Sequence, residues 1–306
     1  MAGVSVARIS WHGWSDCFQI QNGLIEAVVV PSIGRVMQLR LLDDPVGALW
    51  RNSALDGRRH EPPADLPLPR EWRNYGGDKC WPAPQSAWPK VQGRSWPPPD
   101  AFDSQPMNAV ATESSVTLTS AVDRSFGIQI ARYVELDPGR PVMRIRSEFR
   151  KRTGGPVKVG VWTITQLQNP ECVAILIPRE SKFANGYSHL FGAQPADLRI
   201  DDGVLSLVRH PCELVKIGSD GTSLAWVGKN CVVRIDAEPG PGEYPDDGCI
   251  TQVYTNPDPM NYVELETAGP LTTMNIGDRI ERTAVYTASP RSTPDLHSEA
   301  IKALTL

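Results

Sequence analysis

Hydrophobic and polar residues alternate in short runs along most of the chain, which predicts β-strands. Residues 17–21 alternate, Asn22-Gly23 is a pair typical of two-residue hairpin turns, and 24–30 is a β-branched run. Similar runs, separated by Gly, Pro and Asp, recur at intervals of about 8 to 12 residues. They cover 35–42, 115–122, 128–136, 142–149, 157–166, 174–178, 205–208, 215–217, 224–227, 232–236, 250–255, 262–266 and 280–287. This pattern predicts a large all-β fold with two apposed antiparallel sheets, and residues 295–304 are the one candidate for an amphipathic helix.

The pattern predicts a single β-sandwich domain over residues 1–306, with an insertion at about 56–108 and a short C-terminal tail from about 289. The insertion is rich in proline and holds four of the nine tryptophans, at positions 72, 81, 88 and 96. Disordered segments are poor in aromatic residues, so we expect the insertion to be ordered and packed over another part of the protein. Within it, two glycines and two prolines in residues 74–85 predict a stiff loop that presents Asp78, Lys79 and the ring of Trp81.

Composition and charge narrow the classes of function. Hydrophobic residues make up 41% and charged residues 22% of the chain, and the net charge is −4 without a run of five like charges. Such a surface does not favour nucleic acid or an anionic membrane as a partner. No signal peptide and no apolar run of about 20 residues is recognisable, so we expect a cytoplasmic protein.

Cysteine and histidine spacing gives no indication of a metal site. The six cysteines include no C-x-x-C pair, and we expect free, buried thiols. No two histidines stand at ligand spacing, and nucleotide-binding motifs are absent, so we expect no metal and no cofactor. Cys80 follows Lys79 and could be an activated thiol, but without a nearby histidine a packed thiol is favoured.

Three predicted strands carry polar residues on a face that also carries aromatic residues. Glu264 and Glu266 share a face with Tyr262 and lie about 7 Å apart at a rise of roughly 3.3 Å per residue. If both carboxylates are buried, one is expected to stay protonated; the alternative is a strand face in water. Two further pairs follow the same alternation: Trp162 with Gln166, and Gln252 with Tyr254. Aromatic rings with convergent amides and carboxylates are typical of a sugar-binding cleft.

Arg35 shares a predicted strand face with Met37, Leu39 and Leu41. Two interpretations remain open: an arginine at a strand end that reaches water, or an arginine within a pocket.

Three motifs carry a family resemblance: Trp11-His12-Gly13-Trp14, the Gly-Gly-Asp-Lys-x-Trp-Pro-Ala-Pro-Gln run at 76–85, and Tyr-Val-Glu-Leu-Glu at 262–266 followed by Gly269-Pro270. With them the chain resembles the galactose mutarotase-like (aldose 1-epimerase-like) superfamily, in particular a bacterial branch with this Gly-Gly-Asp-Lys loop. The similarity spans roughly residues 10 to 288. It implies a β-supersandwich of large antiparallel sheets with a concave, sugar-binding face.

The resemblance also implies roles for individual residues. Glu266, with Glu264 as the competing assignment, corresponds to the glutamate that takes the proton of the anomeric hydroxyl. The histidine that protonates the ring oxygen corresponds to Trp162 in this chain, and Lys79, Tyr75 and Tyr254 are the candidates to replace it. The expected sugar-binding residues are Arg35, Tyr75, Asp78, Trp81, Gln85, Trp162, Gln166, Gln252 and Tyr254.

These observations predict a carbohydrate-active protein whose partner is a small sugar, neutral or uronic. A divergent epimerase or mutarotase with catalytic Glu266, Glu264 and Lys79 is the first hypothesis. A binding protein of the same fold without turnover is the second. The third is an accessory subunit whose Trp-rich segment packs on a partner chain.

Overall fold

The computed structural model describes residues 3–59 and 72–305, which form 21 strands and three α-helices. In chain order the strands are β1 (Ser5–Trp11), β2 (Trp14–Gln21), β3 (Ile25–Val30), β4 (Arg35–Leu41), β5 (Asp78–Ala83), β6 (Asn108–Ala111), β7 (Ser115–Val122), β8 (Ile128–Leu136), β9 (Val142–Lys151), β10 (Val157–Gln168), β11 (Cys172–Leu176), β12 (Ser188–Gly192), β13 (Arg199–Asp201), β14 (Val204–Leu207), β15 (Val215–Ser219), β16 (Ser223–Val227), β17 (Cys231–Asp236), β18 (Thr251–Thr255), β19 (Tyr262–Ala268), β20 (Thr272–Met274) and β21 (Arg279–Pro290). The helices are α1 (Trp88–Gln92), α2 (Asp100–Asp103) and α3 (Leu296–Thr305).

The strands form two antiparallel sheets that face each other. The first has the order β1-β2-β3-β4-β5-β10-β19-β18-β15-β12, with β20 beside one end of β10. The second has the order β13-β14-β11-β16-β17-β21-β9-β8-β7-β6. The predicted all-β class with two apposed sheets is confirmed, and β7 and β8 have the predicted bounds. None of the helices in the described ranges is long and apolar enough to cross a membrane.

The C-terminal region was expected to be a tail from about residue 289. Strand β21 ends at Pro290, and α3 packs on the second sheet in a small apolar cluster with Cys172, Ala174 and Val227. The helix predicted at 295–304 is confirmed within one residue at each end.

The main correction to the sequence-based expectation concerns residues 74–85, because Asp78–Ala83 is a strand of the first sheet and not a loop. Strand β5 pairs with β10 along all of its length but with β4 only at Asp78, opposite Val36. Pro82 therefore lies where β5 has no partner strand on its second side, and its missing N–H breaks no ladder hydrogen bond. The Pro82 carbonyl instead accepts a hydrogen bond of 2.8 Å from the Trp88 indole.

The interior between the sheets contains a polar network within a large apolar cluster. Asp78 pairs with Arg132 of β8 and accepts hydrogen bonds from Thr165 Oγ1 (2.7 Å) and Tyr286 Oη (2.6 Å). Arg132 also donates to the Asp78 carbonyl at 2.9 Å. These four residues come from both sheets and are all buried, so the network joins the sheets at their centre.

All six cysteines are free, and all but Cys212 are buried. Burial raises the pKa of Cys80 to about 12, which identifies it as a packed thiol, as favoured from the sequence.

The central network predicts a large loss of stability on Asp78→Asn. The substitution leaves the Arg132 guanidinium buried without a carboxylate, and we expect the free energy of unfolding to fall by about 3–5 kcal/mol. Urea denaturation followed by tryptophan fluorescence measures this change. The matched control is Asp16→Asn, which breaks the exposed Arg8–Asp16 pair (2.7 Å) and should cost at most about 1 kcal/mol. Equal losses in the two variants would contradict a central role for Asp78.

Candidate functional site

Five neighbouring strands of the first sheet place polar and aromatic side chains on its face away from the second sheet. Directly opposed residues of antiparallel strands point to the same face. One row of opposed residues runs Lys79, Ile164, Glu266, Gln252. A second row runs Gln166, Glu264, Tyr254, Lys216. We call this surface the polar face; it comprises Lys79, Trp81, Trp162, Gln166, Lys216, Gln252, Tyr254, Glu264 and Glu266.

Glu266 is completely buried at the centre of the polar face. Its Oε2 accepts hydrogen bonds from the Trp162 indole (2.8 Å) and from Lys216 Nζ (2.9 Å). Its Oε1 has no hydrogen-bond partner within the described ranges. Burial raises the pKa of Glu266 to about 7, while the charge of Lys216 lowers it and that of Glu264 raises it. This carboxyl group is therefore protonated up to a higher pH than an exposed glutamate is.

Glu264 lies beside Lys79 and remains partly open to solvent, with 14% of its side chain exposed. Its Oε1 accepts hydrogen bonds from Gln166 Nε2 (2.9 Å) and Lys79 Nζ (3.3 Å). Lys79 is fully buried, and its Nζ lies 4.9 Å from the centre of the Trp81 ring. Burial lowers the pKa of Lys79, and nearby Arg35 lowers it further, while Glu264 acts in the opposite direction. The two glutamates thus occupy different environments, as two carboxylates on one buried face require.

Arg35 does not reach water: it is fully buried and connects the sheet to the Trp-rich insertion. It donates to Asp103 Oδ1 of α2 and to the Gly76 carbonyl, both at 2.7 Å. The Asp103 carboxylate also accepts from the indoles of Trp81 and Trp72, each at 3.1 Å. Asp103 was not singled out from the sequence, although a buried Arg35 on an apolar strand face implies an acidic partner.

Aromatic side chains form two walls around the polar face. On one side, the rings of Trp72, Trp81, Trp88, Trp96 and Trp162 pack with centroids 4.9 to 6.4 Å apart, and 42% of Trp96 is exposed. On the other side, Tyr262 contacts Trp50 (4.7 Å) and Tyr254 (6.2 Å), and Phe191 lies 6.3 Å from Tyr254. The described part of the insertion therefore packs over the sheet beside the two glutamates.

Three residues expected to bind a sugar lie elsewhere. Asp78 points to the opposite side of β5, because adjacent residues of a strand alternate, and it is buried between the sheets. Tyr75 is buried in a separate apolar cluster with Trp14 and Met37. Gln85 is exposed in the 3-10 helix Gln85–Ala87, beyond the Ala83 end of β5.

Lys216 and Asp246 lie at the site but were not singled out from the sequence. Lys216 stands between buried Val215 and Ile217, so alternation could have assigned it to a different face from theirs. Its contact with Glu266 depends on pairing between strands that are distant in the chain. Asp246 Oδ2 accepts a hydrogen bond of 2.8 Å from Gln252 Nε2, a contact across a turn that no local pattern indicates.

The raised pKa of Glu266 predicts a pH-dependent stability. Between about pH 4.5 and 7 the folded protein holds this proton while the unfolded chain releases it, so the free energy of unfolding falls as pH rises through this window. The expected fall is on the order of 3 kcal/mol. Urea denaturation of the wild type and of Glu266→Gln from pH 4.5 to 8 measures it. The difference in free energy of unfolding between the wild type and Glu266→Gln should change by this amount between about pH 4.5 and 7. A difference that stays constant would contradict the raised pKa of Glu266.

No family model matches the chain, and no curated protein matches its sequence. Among solved structures, the galactose mutarotase related enzyme from Lactobacillus acidophilus has a TM-score of 0.57 at 10% identity, over 91% of this chain and 98% of that chain. A galactose mutarotase-like protein from Lactobacillus casei ATCC 334 has a TM-score of 0.56 at 9% identity, over 89% and 100%.

A TPR-domain containing protein from Parabacteroides distasonis ATCC 8503 has a TM-score of 0.59 at 13% identity, over 92% of this chain and 48% of that chain. At such low identities the similarity establishes the fold alone. The chain has the galactose mutarotase-like fold, as the resemblance of its motifs predicted.

Proposed function

We propose that this protein binds a sugar or sugar-like molecule on the polar face and that Glu266 acts there as a base in an aldose-epimerase type of reaction. The observation that carries the proposal is the environment of Glu266. Its carboxyl group is buried, has a pKa of about 7 and keeps one oxygen without a partner in the described structure. A base whose pKa lies near the working pH transfers protons most efficiently.

The surroundings of Glu266 suit a carbohydrate. The rings of Tyr254, Tyr262 and Trp50 can contact the apolar C–H face of a pyranose, while Gln166 and Glu264 can bind its hydroxyl groups. The fold of the chain is that of proteins named galactose mutarotase-like, which agrees with this proposal.

In the proposed reaction, Glu266 takes the proton of the anomeric hydroxyl while a second group protonates the ring oxygen. The bond between the anomeric carbon and the ring oxygen then breaks, and closure on the other face returns both protons. Lys79 is the proposed acid, because burial lowers its pKa, and it regains its proton from the newly formed hydroxyl group when the ring closes. Glu264 Oε1 accepts a hydrogen bond of 3.3 Å from Lys79 Nζ and holds the ammonium group in position. Tyr254 is less suitable, since burial raises its pKa to about 12.

Lys216 contacts one of the two carboxylate oxygens of Glu266. Its Nζ lies 2.9 Å from Glu266 Oε2 and 4.9 Å from the Trp162 ring, and only 10% of its side chain is exposed. Its contact with Oε2 leaves Oε1 available to a ligand, and the loss of the Lys216 charge would raise the pKa of Glu266 further.

A second candidate function is sugar binding without turnover. It is favoured by Trp162, which stands where the resemblance implies the histidine that protonates the ring oxygen. Its indole N–H is already hydrogen-bonded to Glu266 and is a donor that does not titrate.

The epimerase proposal predicts that Glu266→Gln abolishes catalysed anomer exchange of galactose or glucose, because the amide cannot take a proton. We expect a loss of at least about 100-fold, with sugar affinity changed only a few-fold. The wild-type rate should rise with pH through about 7, as Glu266 ionises. Exchange spectroscopy by proton NMR measures the rate, and NMR titration measures binding.

Glu281→Gln is the control, because Glu281 is exposed on the second sheet and pairs with Arg146; its rate should equal that of the wild type. A wild type that binds a sugar without accelerating exchange would support the second candidate. Neither exchange nor binding across a panel of common aldoses would refute both.

A further inference from the structure

The turn before β18 contains two consecutive aspartates in a left-handed backbone conformation. Asp246 has φ 51° and Asp247 has φ 60°, a region that residues other than glycine rarely adopt. Such strained conformations persist only where surrounding contacts impose them. Here Lys182 Nζ donates to the carbonyls of Asp247 (3.0 Å) and Gly248 (2.6 Å), and Ser188 Oγ donates to Asp247 Oδ2 (2.8 Å).

This turn determines which way the carboxamide of Gln252 points. Gln252 Nε2 donates to Asp246 Oδ2 at 2.8 Å, and a carboxylate can only accept. The carboxamide therefore cannot rotate to exchange its nitrogen and oxygen, because its oxygen would then face the carboxylate. Gln252 is only 1% exposed, and its Oε1 has no partner in the part of the chain that the structure describes.

Glu266 lies directly opposite Gln252 on the neighbouring strand, with Cβ atoms expected about 5 Å apart. Its Oε2 is occupied by Trp162 and Lys216, while its Oε1 has no partner among the described residues. Gln252 Oε1 can only accept, and Glu266 Oε1 can only accept when its carboxyl group is ionised, so in that state two buried acceptors on directly opposed residues lack donors. Buried acceptors without partners are uncommon in native proteins and indicate a role for the groups that carry them.

We propose that Gln252 Oε1 and Glu266 Oε1 form a two-acceptor subsite for neighbouring hydroxyl groups of a sugar, with Asp246 as the residue that positions Gln252. This inference rests on the proposed function, in which Glu266 receives the anomeric hydroxyl. Gln252 then accepts from the hydroxyl on the adjacent carbon, C2. The subsite selects aldoses with a free 2-hydroxyl group over sugars that lack a donor there.

Substitution of Asp246 tests whether this residue orients the Gln252 carboxamide or only supports the turn. In Asp246→Asn the new amide can donate or accept, so the Gln252 carboxamide is free to present either its oxygen or its NH₂ group. Asp247→Asn is the matched control: it makes the same chemical change at the next left-handed residue and keeps the Asp246–Gln252 bond. Asparagine tolerates this conformation, so both variants are expected to fold.

The experiment measures binding of D-galactose and D-glucose, and of their 2-deoxy and 2-deoxy-2-fluoro analogues, by NMR titration of the wild type and both variants. Fluorine replaces the hydroxyl with a group that cannot donate. In the wild type we expect each analogue to bind on the order of tenfold more weakly than its parent sugar. Asp247→Asn should keep this ratio, and Asp246→Asn should reduce it to about twofold or less. Thermal unfolding confirms that both variants fold.

The remaining outcomes refute the inference in distinguishable ways. If a parent sugar binds and the 2-modified analogues bind equally well, the subsite is refuted while the proposed function stands. If Asp246→Asn keeps the wild-type ratio, or both variants lose it equally, Asp246 has no specific positioning role. If neither parent sugar binds to the wild type, the proposed function fails and this inference fails with it.

Discussion

The antiparallel register of β10 with its two neighbours determines which side chains belong to the interior and which to the polar face. Ile164 lies opposite Lys79 on one side and Glu266 on the other, so both charged residues point away from the second sheet. Asp78, one residue from Lys79, points inward to Arg132 for the same reason. A slip of one residue would exchange these faces, and it would bury Lys79 between apolar layers and remove Asp78 from Arg132. The central network between the sheets thus fixes the position of the site as well as the fold.

Several charged side chains are buried on or beside the polar face, and each has a partner of opposite charge. One of these partners also holds the Trp-rich insertion in place. Arg35 is matched by Asp103, Lys79 by Glu264, and Lys216 by Glu266. Asp103 comes from α2 of the insertion and also binds two indoles, so this pair connects the aromatic wall to the sheet. A buried charge without its partner is costly, so removal of either member of such a pair is expected to destabilise the fold.

Alternation predicted most strands and the faces of Gln166, Gln252, Glu264 and Glu266, because these depend only on a local period of two. It failed at β5, where two prolines and two glycines indicate a loop; Pro82 is tolerated only because β4 leaves that part of the strand unpaired. It also could not find the partners of Arg35 or Glu266. Those contacts join residues 68 and 50 positions apart, and they follow from sheet order rather than from any local pattern. Asp78, Tyr75 and Gln85 lie away from the polar face, because 74–85 was interpreted as one loop whereas Asp78–Ala83 is a strand with two faces and Gln85 follows its end.

The chemistry of the polar face depends on a balance at Glu266. Burial and the charge of Glu264 favour its protonated form, while Lys216 favours the ionised form, and the result is a pKa of about 7. A histidine titrates in this range without help, whereas a glutamate does so only when its environment is built for it. With Trp162 in place of the histidine that the resemblance implies, the group on this face with a pKa near neutral is a carboxyl. The polar face thus combines a buried carboxyl group whose pKa is raised with a buried lysine whose pKa is lowered, and both shifts have burial as their main cause.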